Sequence, residues 1–78
     1  MSKIISKLRM MNFFAQNLKY LRLERNLTQP ELARALHVSN GMISFWENGK
    51  YEPTASSIIT VAQYFGVSID ELLTTKMM

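Results

Sequence analysis

Residues 28–50 read TQPELARALHVSNGMISFWENGK, and their punctuation decides the fold. Thr28 and Glu31 stand at capping-box spacing. The hydroxyl accepts from the backbone N–H three residues on, and the carboxylate accepts from the N–H of the cap. Pro30 fits a first helical turn, where its missing N–H is no loss. Leu32, Ala33 and Leu36 then line one helical face, and the helix ends near Leu36. His37-Val38-Ser39 makes a short connection. Ser39 is placed to cap the next helix, whose apolar positions are Met42, Ile43 and Trp46, and Gly49 stops it. Two short helices joined by such a turn spell a helix-turn-helix.

The flanks read as helices too. Phe14, Leu18 and Leu21 share one face of a helix over 12–24, and Asn26 suits the left-handed conformation that ends helices. Ile4, Leu8 and Met11 continue that spacing, so residues 1–11 are either a helix extension or a flexible basic arm. Met10 and Met11 also offer alternative translation starts. After the loop Lys50-Tyr51-Glu52 and Pro53, Thr54 caps a helix with Ala55, Ile58, Val61, Ala62 and Phe65 on one face, ended by Gly66. Ser68 and Glu71 form a second capping box, opening a short helix with Leu72 and Leu73 buried. The tail 74–78 shows no clear structure. No alternating β-branched run is long enough for a sheet. The expected architecture is all-α: a domain over 12–73 between the basic segment 1–11 and the tail.

Composition removes several function classes. With 78 residues, 47% of them hydrophobic and 19% charged, the chain is one small folded domain rather than a disordered one. It has no cysteine and a single histidine, His37, which excludes disulfides, zinc–thiolate sites and multi-histidine metal sites. The six methionines read as core filler and terminal residues. No apolar run is long enough for a membrane helix, and no secretory signal is evident, so a cytoplasmic location is expected. There is no nucleophile–base set and no glycine-rich phosphate loop. Glu31, Glu47 and Glu52 have structural readings in caps, pairing and solvent, so catalysis and cofactors are not expected. The net charge of +3 is concentrated at the N-terminus, where Lys3, Lys7 and Arg9 meet no acid, and Lys19, Arg22 and Arg25 outweigh Glu24. Such a slope invites a phosphate backbone.

The residues Gln29, Leu32-Ala33, Val38-Ser39, Ile43-Ser44, Trp46-Glu47, Gly49 and Pro53, with Val67-Ser68 and Asp70-Glu71-Leu72-Leu73 further on, resemble the Cro and phage-repressor (XRE-type) helix-turn-helix family. The resemblance covers about residues 12–73. It implies a compact bundle of five helices, the lambda-repressor-like DNA-binding domain, whose second helix crosses the DNA backbone while the third enters the major groove. It also implies that Asn40, Gly41 and Phe45 face base edges, with Ser44 beside them. Gln29 resembles a glutamine that holds phosphate and braces the reading helix, and Asn48 and Lys50 resemble phosphate contacts. Arg22 and Glu47 match a buried pair linking the first helix to the end of the third. His37 stands where the family favours glycine, and needs a positive φ or an altered turn.

Side-chain chemistry sharpens these expectations and leaves alternatives. The Asn40 amide suits adenine N6 and N7, or else a phosphate. Gly41 costs helix stability, for close approach to DNA or for no reason. Phe45 has no polar atom and either touches thymine methyl groups or packs on Tyr51 or a partner copy. Ser39 caps and can donate to phosphate; Lys19 and Tyr51 are further phosphate candidates, Tyr51 alternatively covering the loop. The expected partner is a double-stranded DNA operator, palindromic and read by a homodimer acting as a Cro-like or prophage-type repressor. Ile59, Ile69, Leu73, Met77 and Met78 are the candidate interface. The alternative is a protein-binding module on the same fold, such as an antitoxin or a restriction–modification controller.

Overall fold

The computed structural model describes residues 2–77, with side chains described over 13–77. Five helices follow one another: α1 (Ser2–Glu24), α2 (Gln29–Leu36), α3 (Asn40–Glu47), α4 (Ala55–Phe65) and α5 (Ile69–Thr74), with no strand among the described residues. The basic segment 2–11 lies within α1; its side chains, like Met1 and Met78, lie outside what is described.

Each boundary has a local cause. α1 ends where Asn26 turns left-handed at φ 56° and the Leu27 N–H reaches back to the Arg22 carbonyl at 3.1 Å. At α2, the Glu31 N–H donates to Thr28 Oγ1 at 3.2 Å and the Thr28 N–H donates to the Glu31 carboxylate at 2.8 Å. The Glu31 carboxyl is held below its ordinary pKa by that backbone N–H first, and by the Thr28 hydroxyl second. α4 opens with the Ser57 N–H on Thr54 Oγ1 and closes at Gly66, φ 70°. α5 opens with the reciprocal Ser68–Glu71 pair.

The core forms where the apolar faces meet. Phe14 and Leu18 of α1 pack with Leu32 and Leu36 of α2, Ile43 and Trp46 of α3, Val61 and Phe65 of α4, and Leu72 of α5. Phe14 and Trp46 meet edge to face, with centroids 6.0 Å apart. Leu73, expected to be buried, is only partly so, at the edge of this core.

Two polar clamps complete the packing. Asn17 on α1 is fully buried. Its amide donates to the carbonyls of Leu72 at 2.9 Å and Thr75 at 2.7 Å, and its Oδ1 accepts from the Met77 N–H at 3.1 Å. The expectation of an unstructured tail over 74–78 is therefore corrected: Thr74 is helical, and 75–77 are held to α1 by one asparagine. Arg25 donates to the carbonyls of Tyr64 and Phe65 at 3.2 and 3.1 Å and lies over both rings, where the negative end of α4 favours a cation.

Candidate nucleic-acid interface

The α2–α3 turn is made by His37, which takes the left-handed conformation (φ 58°, ψ 42°). Its N–H donates to the Arg34 carbonyl, and the Val38 N–H to the Ala33 carbonyl at 3.0 Å. These bonds reverse the chain within a single left-handed residue, so α3 leaves α2 at a defined angle.

Ser39 holds the N-cap backbone position of α3, but its hydroxyl makes no capping bond, a correction to its expected role. The Met42 N–H, which a side-chain cap would take, goes instead to the Ser39 carbonyl at 3.1 Å. Ile43 and Trp46 point into the core. The opposite stripe of α3 is accessible: Asn40, Gly41 and Asn48 are exposed, and Ser44 and Phe45 are half-buried. Positions 40, 41, 44, 45 and 48 share one helical face, so burial of Ile43 and Trp46 presents them together.

The loop after α3 folds back on this stripe. Gly49 takes φ 71°, and the Lys50 N–H reaches the Phe45 carbonyl at 2.8 Å. That closure brings the Tyr51 ring to 4.8 Å from Phe45, inclined at 66°, and sets Lys50 Nζ 5.5 Å from the Phe45 centroid. Phe45 thus does pack on Tyr51, while remaining half-buried. Asn48 Nδ2 lies 3.4 Å from Ser44 Oγ. Lys19, on α1, is exposed.

Behind the stripe lies a polar network. Arg22 Nε donates to Glu47 Oε2 at 2.7 Å and Nη2 to Oε1 at 3.0 Å, while Nη1 donates to the Leu27 carbonyl. The two side chains are 10% and 3% exposed, so this is a buried bidentate pair. Gln29 Nε2 joins it, donating to Glu47 Oε1 at 3.1 Å. The end of α1, the start of α2 and the end of α3 are therefore fastened at one carboxylate. Gln29 spends one amide hydrogen on this brace, which leaves its carbonyl and second hydrogen for another partner.

Asn17 and Arg25 were missed by sequence reasoning. Their partners lie about 40 or more residues away, and no local pattern marks an asparagine or arginine for a distant carbonyl. Among the described residues no His, Asp or Glu cluster could hold a metal, and no helix is long and apolar enough to cross a membrane.

A family model described as helix-turn-helix matches residues 18–72, and the chain belongs to that family. The HTH-type transcriptional activator BcrR of Enterococcus faecalis is 47% identical over 60 residues, covering 77% of this chain and 29% of that protein. The cryptic phage CTXphi transcriptional repressor RstR of Vibrio cholerae is 32% identical over 60 residues, covering 77% of this chain and 54% of its own. The crystal structure of a transcriptional regulator from Listeria innocua superposes with a TM-score of 0.72 at 35% identity, covering 77% of this chain and 56% of that one. The chain spans less than two thirds of each of these proteins. The described domain is thus a helix-turn-helix domain, similar to the one these transcriptional regulators carry.

Proposed function

We propose that this chain represses transcription, in the manner of Cro-like and prophage repressors, by binding a palindromic operator as a homodimer. α3 lies in the major groove with Asn40, Gly41, Ser44 and Phe45 toward the bases. Gln29, Ser39, Asn48, Lys50, Tyr51 and Lys19 meet phosphates. The observation that carries the reading is the accessible stripe of α3, presented by the burial of Ile43 and Trp46 on the other side. Its polar members suit groove edges, and Lys50 beside it suits the backbone.

Ile59 and Ile69, 43% and 44% exposed, are the best candidates for contact with a second copy. Leu73 is weaker because it leans on the core, and Met77 because its backbone is tied to Asn17. Met78 lies outside the described residues. Repression is the proposed sign because a dimer spanning about one turn of DNA excludes other proteins from it.

Selection of bound duplexes from a random pool, followed by sequencing, tests the reading. The expected result is an enriched palindrome with half-sites about one helical turn, or 34–36 Å, apart. Retention without enrichment would leave phosphate affinity alone and sink the specific-repressor reading.

A further inference from the structure

One side of the accessible α3 stripe offers no hydrogen-bonding side chain. Gly41 has no side chain and Phe45 has no polar atom, while Asn40, Ser44 and Asn48 line the neighbouring side with polar groups. The Phe45 ring is held in place: Tyr51 meets it at 4.8 Å, Lys50 sits 5.5 Å from its centroid, and the loop bearing both is bonded to the Phe45 carbonyl. A Cβ built at Gly41 would lie 3.8 Å from Phe45 Cε2, an ordinary contact. Glycine is therefore not required there for folding. Its effect is to leave that edge of the ring uncovered and to let the α3 backbone come close to whatever α3 faces.

We propose that Gly41 and Phe45 together form an apolar recess that reads the 5-methyl group of a pyrimidine, in thymine or in 5-methylcytosine. This rests on the reading that α3 lies in the major groove. Each base pair presents a distinct edge there, and the pyrimidine methyl is its apolar feature. A fixed aromatic edge beside a bare backbone removes that methyl from water without stranding a polar group. Unmethylated cytosine and uracil in the same place would each leave the recess unfilled. Where that position holds cytosine, its methylation strengthens binding.

The test uses the full chain and a duplex recovered by the selection above, with affinity read by fluorescence anisotropy. Each thymine is replaced singly by uracil, which keeps the base pair and removes only the methyl. One position in each half-site is expected to weaken binding about fourfold, the factor for returning one methyl-sized group to water. At that position 5-methylcytosine paired with guanine binds tighter than cytosine by a similar factor. Gly41→Gln, an exposed helical substitution that covers the ring edge, abolishes the thymine–uracil difference without lowering the melting temperature. Phe45→Ala abolishes it too, and Gly41→Gln carries the test if Phe45→Ala loosens the loop. A flat uracil scan on a duplex that does bind overturns the proposal and leaves the DNA-binding reading intact, as does a methyl effect that survives Gly41→Gln. Failure of every duplex to bind would remove both.

Discussion

Arg22 Nε lies 2.7 Å from Glu47 Oε2, and a second bond of 3.0 Å makes the contact bidentate between side chains almost wholly removed from water. The pair joins α1 to the end of α3, and Gln29 hangs from the same carboxylate. The helix that presents the accessible stripe is thus anchored to α1 through one carboxylate.

Removing one partner leaves a buried charge without compensation. Arg22→Ala is expected to cost about 3–5 kcal/mol, a large share of a small domain's total stability. Gln29→Ala removes a single bond to the charged Glu47 and is expected to cost about 1.5–3 kcal/mol. Urea titrations followed by far-UV circular dichroism measure both. Equal effects would contradict the ranking of an ion pair above a neutral donor.

Asn17 satisfies the end of α5 and the segment after it. Asn17→Leu leaves the Leu72 and Thr75 carbonyls without this donor and is expected to cost about 1–3 kcal/mol. The loss has a local signature: the Met77 amide, which donates to Asn17 Oδ1, exchanges with solvent faster than amides in α2. Unchanged protection at Met77 would show that something other than this clamp holds the tail.

Stability carries a pH dependence from the first capping box. The Glu31 carboxyl has its pKa lowered in the folded state by the Thr28 N–H and hydroxyl. Its contribution is therefore full above the ordinary carboxylate range and is lost as pH falls through the depressed folded value. Glu31→Gln is expected to remove that part of the acid sensitivity. Thr28→Ala, which takes away the cap oxygen, is expected to cost about 1 kcal/mol near neutrality. Thermal melts over an acid-to-neutral series, wild type against each variant, read the difference. An acid limb identical in wild type and Glu31→Gln would contradict it.

Affinity for DNA separates charge from reading. Lys50→Ala is expected to weaken all sequences alike and to make the salt dependence shallower by roughly one unit of slope. Asn40→Ala is expected to cost about 1–3 kcal/mol on the selected site and to relax preference at one base pair, with the salt slope unchanged. Titrations of both variants across ionic strength, on selected and scrambled duplexes, distinguish these patterns. A sequence-dependent effect of Lys50→Ala would move that lysine from phosphate to base.

The linear sequence determined what depends on neighbours along the chain. Thr28 with Glu31, Ser68 with Glu71, the helix stops at Asn26, Gly49 and Gly66, and the apolar spacing of each helix all act within a few residues, so their physics is written locally. These features are enough to mark five helices and to place the outward stripe of α3. Tertiary structure alone decided the long-range polar bonds. Asn17 and Arg25 satisfy carbonyls that helix ends leave open, and which carbonyls come within reach depends on how α1 packs against α4 and α5. Two local outcomes were not legible either: the Ser39 carbonyl, not its hydroxyl, takes the Met42 N–H, and of the alternatives open to Phe45 the loop after α3 realises packing against Tyr51, with Lys50 beside the ring. Local periodicity reports which face of a helix is apolar; which groups meet across the bundle depends on distances that arise only when the faces are buried together.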